Sequence, residues 1–171
     1  MIAVTGFGPL VVGIDGSDAS SRALRWALAE ARRRSVPVRV VMVWESHAVM
    51  SGPAPLLLHP ELAPYEIRQK HREELMRVVR ESLAGEAEPE VQAELVEGHA
   101  AEVLVRKAAD AAMLVLGSSG HGRFTGALGS TALRCAHKAR CPVVIVPAGM
   151  EIGGGTAGGG ETSVAGDPAL G

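Results

Sequence analysis

The 171-residue chain has no surplus of either charge, few aromatics and only two cysteines, and each shortage removes a class of function. Seventeen Lys and Arg against nineteen Asp and Glu leave a formal net charge of −2, so no basic field draws the chain to nucleic acid or anionic lipid. The aromatics are five (Phe7, Trp26, Trp44, Tyr65, Phe124), too few for a platform on which bases stack. Apolar runs such as Val40 to Trp44 fall far short of the roughly 18 residues that span a bilayer. No Lys or Arg precedes Arg22, so the charged region of a secretory leader is missing, and a cytoplasmic protein is expected. Cys135 and Cys141 make no disulfide framework and read as core thiols at a helix-to-strand boundary. The spacings from Cys135 to His137 and from His137 to Cys141 resemble metal spacing only faintly, since no second cluster completes four ligands.

What the chain has in excess is glycine, 21 residues, about 12% against the roughly 7% of an average protein. Nine of them fall in residues 149–171, a segment with few large apolar groups and no periodicity. Such a segment cannot offset its ordering entropy and is expected to be a tail without fixed structure. Residues 1–8 are expected to be loose as well, leaving 9–148 as a single domain.

Within that domain apolar runs alternate with helical patterns. Leu10 to Asp15 reads as a buried strand ended by Gly16 and Ser17. In the helix that follows, Ala23, Leu24, Ala27, Leu28 and Ala31 recur at helical spacing, Asp18 or Ser20 is the expected cap, and Arg32, Arg33 and Arg34 suit the negative end of its dipole. A second strand follows Pro37, and residues 46–60, with four Gly and Pro, read as a long loop. A helix is predicted from about Glu61 to Ala84, with Leu75, Met76, Val78, Val79 and Leu83 facing inward. Val91 to Gly98 gives a third strand, His99 to Ala111 a short helix, Met113 to Gly117 a fourth strand, Gly129 to Ala139 a helix and Pro142 to Pro147 a fifth strand. This β-α-β-α-β-α-β-α-β order predicts an α/β fold: one doubly wound, five-stranded parallel sheet with helices on both faces.

Ligands of open parallel sheets bind beyond the carboxyl ends of the strands. Two strands leave through glycine: the first through Gly13-Ile14-Asp15-Gly16-Ser17, the fourth through Gly117 to Thr131, with five glycines between Gly117 and Gly129. Glycine admits close backbone approach, and amide N–H groups leading into a helix N-terminus favour an anion, so a polyphosphate is the natural guest. No Gly-Lys-Ser/Thr is present, so this is not a Walker A loop. Thr125 stands where a dinucleotide fingerprint needs its third glycine, and Gly117-Ser118-Ser119-Gly120 is not a nucleophile elbow.

These two loops, in this order on this fold, resemble the universal stress protein family over nearly all of residues 9–148. The likeness rests on VVGIDGSDASSRALRWALAEA and on the half from Glu97 to Pro147. Gly117, Gly120, Gly129 and Ser130 match the nucleotide-binding branch's G-x2-G-x9-G-S/T, except that eight residues, His121 to Leu128, separate Gly120 from Gly129, one fewer than the pattern has.

The resemblance implies an adenine nucleotide alpha hydrolase-like fold that binds ATP with Mg2+ or Mn2+ and acts as a stress or signalling regulator without strong catalysis. By that resemblance Gly13 and Val43 would line the adenine side, with Leu116 and Gly117 opposite. Asp15, beside Ile14, would lie near ribose and phosphates and help hold the divalent ion. Gly117, Gly120, Gly122 and Gly129 would offer backbone to the phosphates, Ser130 and Thr131 donors, and His121 and Arg123 would reach the terminal phosphate. The family also implies a homodimer through the Pro142–Pro147 strand. A nucleotide-free dimeric interaction protein of the same fold, or a slow ATPase, are the alternatives.

Overall fold

The alternation of short β-branched runs with amphipathic helices resolves, in a computed structural model, into one parallel sheet wrapped on both sides. The structure describes residues 8–45, 64–119 and 128–150. Among them, β1 (Leu10–Ile14), α1 (Asp18–Arg34), β2 (Val38–Trp44), α2 (Pro64–Leu83), β3 (Val91–Glu97), α3 (Ala100–Lys107), β4 (Met113–Gly117), α4 (Ser130–Lys138) and β5 (Val143–Val146) follow in order. The five strands are all parallel and lie in the order β3-β2-β1-β4-β5. The chain thus winds outward from β1 in one direction and then, through β4, in the other. The reversal falls between β1 and β4, whose register sets Leu10 opposite Met113 and Val12 opposite Val115.

Side chains of a strand alternate between faces, and β1 shows how that period builds two cores. Leu10, Val12 and Ile14 join the cluster closed by Leu24, Leu28, Leu75 and Val78 of α1 and α2. Val11 joins the opposite cluster, with Leu104, Leu114, Leu116, Ala132 and Cys135 beneath α3 and α4. All five β1 residues are buried, as an interior parallel strand requires.

Several local expectations are corrected. β1 ends at Ile14, because Asp15 already belongs to the turn. The cap of α1 is Ser17, whose Oγ accepts the Ser20 N–H, and not Asp18 or Ser20. Met76 is 46% exposed, since the inward stripe of α2 runs through Leu75, Val78 and Val79. The helix predicted to reach Ala111 ends at Lys107. Cys135 is fully buried, but Cys141 is only half-buried at the approach to β5.

The three arginines at the end of α1 do more than meet the helix dipole. Arg33 and Arg34 both pair with Glu30, at 2.5 and 2.6 Å. Arg32 Nε donates to the Glu88 carbonyl (2.9 Å), and its guanidinium pairs with Glu86. The helix stops at Ser35, which takes the left-handed conformation (φ 54°), while Val36 N–H returns to the Ala31 carbonyl. The loop expected at 46–60 and almost all of the expected tail lie outside the described residues.

Candidate functional site

The reversal of winding opens a cleft of about 680 Å3 at the carboxyl ends of the strands. Its size is that of a small-molecule site. One wall comes from β1 and the turn after it (Gly13, Ile14, Asp15) and from the start of α1 (Ser20). Val41 and Val43 of β2 and Ala100 and Leu104 of α3 supply an apolar side. Leu116, Gly117 and Ser119 leave β4 along the other wall, and Leu128 to Leu133 complete it at the start of α4.

Of the thirteen residues that the sequence nominated, nine line this one cleft: Gly13, Ile14, Asp15, Val43, Leu116, Gly117, Gly129, Ser130 and Thr131. Gly120, His121, Gly122 and Arg123 lie outside the described residues. Sequence reasoning missed Ser20, Val41, Leu104 and Leu133, among others. Val41 could have been found from period two, because it shares a face with Val43 and sits opposite Gly13 in the β1–β2 register. Leu104 follows Ala100 by four residues and shares its side of α3.

The glycines have a steric reason that precedes any ligand. A Cβ at Gly13 would stand 2.7 Å from Leu116 Cδ2 and 2.9 Å from Leu104 Cδ1, so the missing side chain lets two leucines close over β1. A Cβ at Gly117 would meet the backbone carbon and oxygen of Ala19, each at 2.8 Å. Gly117 therefore lets α1 begin hard against the end of β4. Gly16 has φ +84°, the conformation that glycine adopts at little cost, and it turns the chain from β1 into α1.

Asp15 sits exposed on the cleft wall, held by its own turn. Its Oδ1 accepts the Ser17 N–H (3.0 Å) and the Ser17 hydroxyl (2.6 Å). Behind the turn, Glu74 of α2 lies over Gly16. Arg77 grips Glu74 through Nε and Nη2, at 3.0 and 2.6 Å, and this pairing lowers the Glu74 pKa below the usual carboxylate range. Asp15 is the one charged side chain among the described residues that line the cleft. No described set of three or more His, Cys, Asp and Glu could hold a metal by itself.

Across the cleft, α4 begins at Gly129, whose lack of a side chain leaves the first N–H groups without a side-chain cap. Gly129 N–H donates to the Ser118 carbonyl and Ser118 N–H to Val146, both at 3.0 Å, so the α4 start is anchored to the ends of β4 and β5. An apolar slot thus leads to a helix N-terminus on one side and a single carboxylate on the other. An apolar ring would bury against Val41, Val43, Leu104 and Leu116, and an anion would suit the uncapped amides.

The sequence model of the universal stress protein family matches residues 6–147. The chain belongs to that family. Its resemblance to a universal stress protein of Mycobacterium tuberculosis reaches 34% identity over 139 residues, covering 80% of this chain and 47% of the relative. The chain spans about half the length of the curated relatives it matches. Among solved structures, the universal stress protein UspA from Lactobacillus plantarum shares the fold, with a TM-score of 0.67 at 23% identity over 82% of this chain and 97% of that one. The universal stress protein from Archaeoglobus fulgidus, solved in complex with dAMP, is 28% identical with a TM-score of 0.58, over 82% of this chain and 98% of that one. The five-stranded parallel sheet is thus the universal stress protein fold. Among the described residues, no helix is long and apolar enough to cross a membrane.

Proposed function

We propose that this universal stress protein binds an adenine nucleotide in the cleft between β1 and β4, with ATP and Mg2+ or Mn2+ as the ligand, and works as a nucleotide-dependent regulator. The observation that carries this reading is the pairing of an apolar slot with an uncapped α4 N-terminus in one cavity. The dAMP complex of the Archaeoglobus fulgidus relative supports an adenine nucleotide as the ligand class. The base would enter between Val43 and Leu116, and the phosphates would meet the Gly129-Ser130-Thr131 amides. Asp15 repels phosphate unless a cation stands between them, so a divalent cation that arrives with the nucleotide would let the carboxylate and the phosphates share the cleft.

Pairing of a second copy along β5 belongs to the same proposal. β5 lies at the sheet edge beside β4, and Val143, Val144 and Ile145 are only half-buried. An open edge lined by β-branched residues favours strand addition. Sedimentation as a dimer at micromolar concentration is expected, and a monomer there would reject the edge pairing.

The nucleotide reading is tested by denaturing purified protein and weighing what enters the supernatant, together with calorimetric titration of ATP and Mg2+. Released adenine nucleotide, or heat that saturates at one equivalent per chain, is expected. A clean supernatant together with no heat would overturn the proposal.

A further inference from the structure

Ser20 is the one buried polar residue among those described, 4% exposed in a stripe of α1 otherwise made of Ala19, Ala23, Leu24 and Ala27. Alanine is the better helix former and would meet an apolar wall without desolvating a hydroxyl. The hydroxyl is instead tied into a closed ring of hydrogen bonds. Ser20 Oγ accepts the Asp15 N–H (3.3 Å) and donates to the Ser17 carbonyl (2.9 Å). Ser17 Oγ accepts the Ser20 N–H (3.2 Å) and donates to Asp15 Oδ1 (2.6 Å), which also accepts the Ser17 N–H. Ser20 thus fixes the Asp15 backbone from below, while Ser17 fixes the carboxylate from the side.

Both hydrogen bonds to the carboxylate fall on Oδ1, and Asp15 and Ser20 both line the cleft. A carboxylate turned in advance loses less freedom when it takes a ligand. We infer that Ser20 is a positioning residue, which acts through the Asp15 turn to present Asp15 Oδ2 to the divalent cation of a bound nucleotide. This inference rests on the nucleotide reading above and assigns the serine a part in cation-dependent affinity.

The test compares wild type, Ser20→Ala, Ser20→Thr, Asp15→Asn and the Ser20→Ala/Asp15→Asn double variant by calorimetry, with ATP plus Mg2+, ATP plus EDTA, and adenosine. Ser20→Ala is expected to weaken ATP with Mg2+ about three- to tenfold, the loss that one hydrogen bond carries. It should leave adenosine and metal-free ATP within about twofold, a change too small for a lost hydrogen bond. In the Asp15→Asn background the serine change should add little, because the carboxylate through which it acts is gone. Ser20→Thr, which keeps the hydroxyl, should retain most of the wild-type affinity. In the free protein, Ser20→Ala should also speed hydrogen exchange at the Asp15 amide.

Equal losses for adenosine and for ATP with Mg2+ would assign Ser20 a purely structural role and overturn the inference. Additive losses in the double variant, or no loss in Ser20→Ala, would overturn it too. In each of those outcomes the wild type still binds nucleotide, so the nucleotide reading survives. A wild type that binds none of the three ligands overturns both.

Discussion

Replacing Gly117 with alanine tests whether the cleft glycines are there for packing. Neither Gly13 nor Gly117 has a positive φ, so alanine can adopt either backbone, and the entropic gain of a stiffer unfolded chain applies to both. The difference between them is steric. At Gly117 the new Cβ would stand 2.8 Å from the Ala19 carbonyl carbon and oxygen, where ordinary contact begins at about 3.4 Å. The first turn of α1 must therefore retreat by roughly 0.6 Å, against helix and sheet backbone that cannot rotate away. At Gly13 the close atoms are the methyl tips of Leu104 and Leu116, which can turn into the open cleft. Overpacking against fixed structure costs about 1–3 kcal/mol, and against adjustable side chains about 1 kcal/mol or less. Gly117→Ala should therefore lower the thermal midpoint by roughly 4–10 °C and Gly13→Ala by a few degrees at most. Urea unfolding of both variants in parallel measures the gap. Equal stability of the two, or a less stable Gly13→Ala, would refute the steric reasoning.

Three further outcomes follow from other parts of the molecule. Ser35→Gly should stabilise the protein by about 1 kcal/mol in chemical unfolding, because a residue with a Cβ now occupies the left-handed position that ends α1. Arg34 and then Arg33 hold the Glu30 carboxyl below its ordinary value of 4.5. The stability this adds is present above pH 4.5 and is lost as pH falls through the lower folded value, so Glu30→Gln should flatten the acid side of the stability profile. Burial raises the Cys135 thiol to about 11, while Cys141 is half-buried. A maleimide at pH 8 should then label Cys141 first and Cys135 only on unfolding, as peptide mass spectrometry would read.

The sheet was legible because its strands carry signals that tertiary context does not override. Val11-Val12, Val40-Val41 and Leu114-Val115 are short apolar runs bounded by glycine or charge, and between them lie helical stripes such as Ala23-Leu24-Ala27-Leu28. Strand order follows in outline from right-handed crossovers, which admit few ways to wind so many parallel strands. The helix start at Ser17 was less legible, because Ser17, Asp18 and Ser20 all have capping chemistry and only three-dimensional geometry selects among them. Met76 went astray for a related reason: it lies about 100° round the helix from Leu75, at the margin of the stripe that Leu75, Val78 and Val79 make, and the sequence does not say on which side of that margin it falls.

The cleft shows the same division more sharply. Glycine at the ends of β1 and β4 falls on the walls of the cleft, because close approach of backbone to something else is what glycine signals. The sequence does not say what approaches. For Gly13 it is a pair of leucine tips, and for Gly117 the first turn of α1, so both residues are explained before a ligand arrives. A nucleotide-binding loop and a tightly docked helix therefore leave the same mark in sequence. The residues that distinguish them are those with no packing reason to be there. Ser20 is such a residue, a hydroxyl where alanine would fill the space, and an ordinary capping pattern hid it. Asp15 is less diagnostic alone, since its bonds to Ser17 already account for an aspartate at a turn. Together the two make a stronger statement, because the Ser20 hydroxyl holds the Asp15 backbone and Ser17 holds Oδ1, so that both bonds fix the one charged side chain among the described residues that line the cleft.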